Sequence, residues 1–177
     1  MNTVAFLNPE QVLANLELRE NMRAAEFGCG AGKFVLLLAK KLNEGRVYGI
    51  DIQTEPLSVL KSRAQADKVF NIETIQGDLE QDKGSTLPDN FLDFVLIPNL
   101  LFQVENQKAI MNEAKRILKS SGEILVIDWN PEGSFGPSKQ ERIPANNVKA
   151  IAEELSLKLK KEFEAGNFHY GLVFSKL

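Results

Sequence analysis

The chain has 177 residues, 44% of them hydrophobic and 25% charged, which suits one globular domain with a full core rather than two small ones. A net charge of −3 offers no basic field for sequence-independent nucleic-acid binding. One cysteine and one histidine exclude an intramolecular disulfide framework, a multi-cysteine zinc site and a histidine-rich metal centre, so no metal is expected.

The opening "MNTVAFLNPEQ" lacks the basic patch and apolar stretch of a signal peptide, and no run reaches the roughly 18 apolar residues of a membrane span. A cytoplasmic location, with no membrane partner, is the expectation.

The elements follow in chain order. A helix is expected within residues 1–20, over "NPEQVLANLEL", with Asn8 as cap and Pro9 in the first turn. "RAAEFG" (23–28) is a strand, "AGKFVLLLAKKL" (31–42) a helix closed by lysines, and "RVYGID" (46–51) a second strand. A helix starts at Thr54, and "NIETIQ" (71–76) is the third strand. "FLDFVLI" (91–97) reads as a fourth strand buried on both faces, "ENQKAIMNEAKRIL" (105–118) as an amphipathic helix, and "SSGEILVIDW" (120–129) as a turn and fifth strand. Strand and helix alternating in this way predict a parallel sheet with helices on both faces.

The remainder differs. Residues 130–144 form a Gly/Pro/Ser-rich loop, 145–155 a helix, and 157–176 two strands joined through Ala165-Gly166-Asn167. So short a connection requires antiparallel neighbours. With no repeat or linker in view, residues 1–177 read as a single domain.

The densest signal is "EFGCGAG" (26–32), where the first strand runs into its helix. Ligands of open parallel sheets sit at such strand ends, and glycines there let backbone and ligand come together. Asp51 ends the second strand, placed to accept hydrogen bonds from ribose hydroxyls, and Asp78 ends the third, within reach of an adenine edge. The phosphate-loop pattern G-x-x-x-x-G-K-S/T fails, because Phe27 and Phe34 stand where its first glycine and its hydroxyl belong. The dinucleotide pattern G-x-G-x-x-G fails at Lys33. Glu26, moreover, would repel a pyrophosphate but favour a ligand carrying ammonium and sulfonium charges.

Together "EFGCGAG", "VYGIDI" (47–52), "QGDLE" (76–80), "FLDFVLIPNLLFQV" (91–104) and "RILKSSGEILVIDW" (116–129) resemble the ordered motifs of class I S-adenosylmethionine-dependent methyltransferases. The likeness covers nearly the whole chain and is nearest to the small quinone-biosynthesis C-methyltransferase and type 11 group. It implies an α/β, doubly wound, seven-stranded and mostly parallel Rossmann-like sheet of order 3-2-1-4-5-7-6 with an antiparallel last strand. It implies S-adenosyl-L-methionine as cofactor, held by Glu26, Phe27, Gly28, Cys29, Gly30, Gly32, Asp51, Ile52, Asp78, Leu79, Ile97 and Pro98. The methionyl part would lie along Glu26, Gly28 and Gly30, and Ile97 and Pro98 would close that side. One departure is Ser120-Ser121, where the family has proline and glycine.

For the methyl acceptor, expected to be a small molecule, the candidates are Asn99 and Phe102 after the fourth strand, and Trp129, Phe135 and Arg142 around the 130–143 loop. His169 completes the set. Its ordinary reading is a ring held by structural hydrogen bonds, and its alternative a general base. The sequence names no dedicated catalytic base. Protein or RNA acceptors, and a non-catalytic nucleoside-binding role, are the other readings it leaves open.

Overall fold

A computed structural model describes residues 6–176. Its centre is a seven-stranded sheet made of β1 (Arg23–Phe27), β2 (Arg46–Asp51), β3 (Ile72–Gln76), β4 (Leu92–Pro98), β5 (Leu118–Trp129), β6 (Leu157–Glu164) and β7 (His169–Lys176), in the order β3-β2-β1-β4-β5-β7-β6. The first five strands pair in parallel, and β7 runs antiparallel to both β5 and β6. This is the architecture implied by the family resemblance.

The helices are α1 (Pro9–Leu13), α2 (Val35–Lys41), α3 (Thr54–Ala66), α4 (Gln107–Ile117) and α5 (Ala145–Glu154), with a 3-10 turn at Leu101–Gln103. One apolar layer joins Val12, Val35, Leu38, Leu57 and Leu60 to one face of the sheet. The other joins Ile110, Met111, Ala114, Val148 and Ala152 to the opposite face. β4 is covered on both sides and is apolar almost throughout, as a central parallel strand requires. β6 is an edge strand whose run Lys158–Glu162 is exposed, and charged residues of this kind discourage edge-to-edge pairing.

Three elements differ from the sequence expectation. The N-terminal helix is one turn and a half rather than most of residues 1–20, of which residues 1–5 lie outside the described residues. Asn8 caps it as expected, accepting from the Gln11 N–H at 3.2 Å, but the Asn15 side chain donates to the Gln11 carbonyl at 2.9 Å and ends it. The helix expected from residue 31 starts at Val35, because Gly32, at φ +86°, sits in a turn with its N–H on the Cys29 carbonyl. No turn separates α4 from β5. The chain passes directly into the strand, and the register slips between the Leu92↔Leu118 and Phe94↔Glu123 pairs, absorbing Ser120, Ser121 and Gly122.

Strand order reverses around β1 and β4, so the carboxyl ends of β1, β2 and β4 diverge around an open space. The turn after β1 borders it. A Cβ on Gly32 would approach Leu60 Cδ1 to 2.4 Å, and the left-handed backbone there excludes most side chains. Gly32→Ala is therefore expected to destabilise the chain by about 1–3 kcal/mol, read as a lower urea midpoint with an unchanged slope.

Candidate functional site

Two adjoining hollows open at the carboxyl end of the sheet, and both are bordered by Gly28 and Asn99. The larger, about 500 Å³, runs over Gly30 to Asp51, Ile52, Asp78 and Leu79. The smaller, about 320 Å³, lies among Glu26, Lys33, Phe34, Pro98, Trp129 and His169.

The turn between them is shaped by main-chain hydrogen bonds. The N–H groups of Gly28 and Cys29 both donate to the Ile50 carbonyl, at 2.8 and 3.0 Å, tying the end of β1 to that of β2. Asp51 Oδ2 accepts from the Gly30 N–H at 2.8 Å and its Oδ1 from the Gln53 N–H at 3.0 Å. Each oxygen keeps a further lone pair for a ligand. A Cβ built on Gly30 would meet nothing within 4 Å, so the turn borders open space there and is not packed against protein. Gly28 differs, since its Cβ would press on Leu100 Cδ1 at 3.0 Å.

Glu26, on β1, is almost entirely buried, and its Oε2 has no hydrogen-bond partner among the described residues. Burial pushes its pKa well above the usual carboxylate range. The Val35 N–H facing it pulls the other way, and the negative charge of Asp51 adds to the rise. Every other buried side-chain polar atom without a partner among the described residues also belongs to the smaller hollow: Asn99 Oδ1, Trp129 Nε1, and both ring nitrogens of His169. Orphaned polar atoms are costly inside a protein, and these five gather around one hollow.

Trp129 and His169 face each other because β5 and β7 pair Trp129↔His169 at the ends of an antiparallel ladder. Their rings lie 4.0 Å apart between centroids, tilted by 37°. Burial, reinforced by the Lys33 charge, pushes the His169 pKa down to about 4, so the ring is neutral at neutral pH. Among the described residues neither ring nitrogen has a hydrogen-bond partner, so the structural hydrogen bonds expected of this ring are not found there.

Other expectations are redirected by packing. The side chains of Phe27 and Ile97 are fully buried in the sheet core and line neither hollow, because strand alternation turns them away from the faces of Glu26 and Pro98 beside them. Arg142 is buried and donates to the carbonyls of Asn130, Pro131, Gly133, Phe135 and Pro137, so its guanidinium is spent on shaping its own loop. Phe135 is exposed against Phe6 and Phe168, and Phe102 packs on the core from the 3-10 turn. Asp78 lines the larger hollow, but both its oxygens also serve its own turn, accepting from the Glu80 N–H and the Gln81 side chain. The Cys29 thiol is buried and its pKa raised by desolvation first, then by Glu26 and Asp51, so it stays protonated and unreactive.

Sequence reasoning passed over Leu100, Gln103 and Val104, which wall the larger hollow, and Phe6 and Phe34 of the smaller one. It also gave no role to Asp128, fully buried at the end of β5 and accepting from the N–H groups of Trp129 and Phe102. Burial raises its pKa to about 7. The signal was present, since Asp128 is the one acid in the otherwise apolar run "ILVIDW". Among the described residues no cluster of His, Cys, Asp or Glu could hold a metal ion, and no helix is long and apolar enough to cross a membrane.

Residues 18–173 match the family described as "Methyltransferase domain", and the chain belongs to it, with the fold of the class I S-adenosylmethionine-dependent methyltransferases. The demethylmenaquinone methyltransferase of Geobacillus kaustophilus (strain HTA426) is 27% identical over 128 residues, covering 72% of this chain and 53% of that protein. The chain thus spans about half the length of the curated relatives it matches. A SAM-dependent methyltransferase from Aquifex aeolicus superposes with a TM-score of 0.88 at 26% identity, over 97% of this chain and 90% of that one. A geranyl diphosphate C-methyltransferase from Streptomyces coelicolor A3(2), in complex with Mg2+, geranyl diphosphate and S-adenosyl-L-homocysteine, shares the fold at a TM-score of 0.78. Its identity is 14%, over 96% of this chain and 79% of that one.

Glu26 carries a pH signature. The folded chain holds its proton more tightly than the unfolded chain, so stability is lost as pH rises from the ordinary carboxylate value towards the raised one. Asp128 adds to that fall between its usual 3.8 and about 7. His169 acts in the opposite sense, removing stability as pH drops from 6.5 towards about 4. In the ligand-free protein Glu26→Gln is expected to gain on wild type by up to about 1.4 kcal/mol per pH unit across the Glu26 window, seen as a melting-temperature difference that widens with pH.

Proposed function

We propose that the protein transfers a methyl group from S-adenosyl-L-methionine to a small-molecule acceptor. The observation that carries this reading is the unpartnered, buried Glu26 Oε2 beside a glycine turn open to the larger hollow. A cationic ammonium there would satisfy that oxygen and favour its ionised form, offsetting the desolvation that raises its pKa. The open Gly30 turn and the lone pairs left on Asp51 suit a ribose, and Ile52, exposed at the rim, offers an apolar face to a base.

When bound, the cofactor supplies an activated methyl on a sulfonium. The chain's residues have to hold the acceptor in line with it and exclude water. Positioning of this kind can account for roughly 7–11 kcal/mol of a reaction barrier. Gly28 and Asn99, shared by the two hollows, mark where adenosyl side and acceptor side meet.

A small acceptor is favoured over a polynucleotide by the charges at the site. The larger hollow carries Asp51, Asp78 and Glu80 and, among the described residues, no basic residue, while Lys33 is the one basic residue of the smaller. Such a rim repels a phosphate backbone. The name of the demethylmenaquinone methyltransferase relatives also supports a small-molecule acceptor.

Calorimetry with S-adenosylmethionine and S-adenosylhomocysteine tests the reading, and failure of both to bind at millimolar concentration would overturn it. Asp51→Ala is expected to weaken binding by about 1–3 kcal/mol in the same experiment without unfolding the chain. Gly30→Val is expected to abolish it, by placing a side chain in the space now open.

A further inference from the structure

We propose that Asp128 is a positioning residue for the cofactor: its buried carboxylate caps the 3-10 turn that walls the larger hollow and so holds Leu100 against the glycine turn where the two hollows meet. This rests on the reading that the larger hollow holds the cofactor.

The first N–H groups of a helical turn have no partner within it. In the turn Leu101–Gln103 these are the N–H groups of Leu101 and Phe102, and Leu100 before it supplies no side-chain cap. The cap comes from another strand. Asp128 Oδ2 accepts from the Phe102 N–H at 3.3 Å, the Leu101 N–H also donates to this carboxylate, and Oδ1 accepts from the Trp129 N–H at 2.8 Å. Three donors thus converge on one side chain. A carboxylate meets such a set with two accepting oxygens, whereas an amide has only one and turns an NH2 towards the remaining donor.

Asp128 acts through the main chain it holds. It is fully buried and lines neither hollow, but the turn it caps does. Leu100, Gln103 and Val104 line the larger hollow beside Asn99, whose backbone at φ +51° is one that non-glycine residues seldom adopt and that surrounding bonds must hold. Leu100 reaches the opposite wall, its Cδ1 3.0 Å from where a Cβ on Gly28 would stand. The seat of that side chain sets the width of the larger hollow at the end it shares with the smaller.

A buried carboxylate with no cation beside it costs stability. Burial lifts the Asp128 pKa to about 7, and the three N–H groups pull against that rise. The ionisable side chain facing it is Tyr170, its partner across the β5–β7 ladder, whose hydroxyl donates to the Ile143 carbonyl at 2.9 Å. Among the described residues no charged side chain of β4, the 3-10 turn, α4 or α5 shifts it. Packing alone would be served by an apolar residue, as at Ile124 and Val126 on the same face of β5.

The full chain is titrated calorimetrically with S-adenosylhomocysteine at pH 8, as wild type, Asp128→Asn, Asp128→Leu and Val148→Ala. Affinity is expected to fall as accepting oxygens are removed, by about threefold for Asp128→Asn and about tenfold or more for Asp128→Leu. Val148→Ala opens a cavity in the same apolar layer and touches neither hollow, so it is expected to lower the melting temperature and leave the affinity unchanged. Amide exchange of the free protein is the second readout. The Phe102 N–H is expected to be protected in wild type and to exchange faster in Asp128→Asn, while the amides of β1 and β2 keep their rates. Wild-type affinity in Asp128→Leu, an affinity loss in Val148→Ala as large as that in Asp128→Leu, or an unprotected Phe102 N–H in wild type would each overturn the proposal, and the last requires no variant to fold. Failure of S-adenosylhomocysteine to bind wild type would overturn the cofactor reading instead, and the Phe102 exchange rates would still decide whether Asp128 holds the turn.

Discussion

The hydrogen bond from the Gly30 N–H to Asp51 Oδ2, at 2.8 Å, ties the candidate site together. It joins the turn after β1 to the end of β2 and holds a left-handed backbone, at φ +49°, that most side chains would strain. With the two N–H groups that converge on the Ile50 carbonyl, it turns two adjacent strand ends into one rigid rim. The rim has to be rigid because it borders space on one side, where a Gly30 Cβ would meet nothing. A turn packed on both sides could rely on side chains for its shape, but this one relies on main-chain bonds and a carboxylate.

That rim explains why a second carboxylate can be kept nearby at a cost. Glu26 is buried next to Asp51, and both burial and its neighbour's charge oppose its ionisation. A core selected for stability alone would place an apolar residue there, as it does at Ala24, Ala25 and Phe27 on the same strand. Stability given up at a binding site is a usual accompaniment of function, and the charge of Glu26 is one that a cationic ligand would balance. The buried Glu113 is a useful contrast. It is held by Ser85 and Arg116 through short hydrogen bonds, and those bonds bring its pKa below the usual value despite desolvation. A carboxylate that serves structure is fully partnered, and Glu26 is not.

What was legible in the sequence follows from which interactions are local. The β1 turn, Asp51 and the strand order depend on short-range patterns: glycines directly after an apolar run, an acid at a strand end, and apolar stretches alternating with amphipathic ones. Those patterns carried through to the sheet. Helix ends were less readable, because Asn15 ended α1 through a side-chain bond that helical periodicity does not encode. At Phe27 and Ile97 motif position and side-chain direction part company: both lie in the motif, and both side chains point into the core. Arg142 is redirected for a different reason. A cation in a Gly/Pro-rich loop looks available to a ligand, yet a loop with few backbone hydrogen bonds of its own has carbonyls to satisfy, and the guanidinium is the donor at hand.

That correction makes the 130–143 loop a support of the Trp129 ring, and no residue of it lines either hollow. Arg142 gathers the carbonyls from Asn130 to Pro137, and the loop so closed brings Gly136 against the Trp129 ring. The opposite constraint comes from the antiparallel pairing of β5 with β7, which sets Trp129 across from His169 and is extended past the strand end by the Asn130 N–H on the Phe168 carbonyl at 2.7 Å. Neither residue could be paired with the other from sequence, since forty positions separate them and only the strand register brings them together. A one-residue slip in that register would turn His169 to the other face of the sheet and empty the hollow of its imidazole. The two sides of the candidate site therefore have different origins. The larger hollow is written locally, in one turn and one acid, while the smaller exists only once the last strand has inserted antiparallel into the sheet.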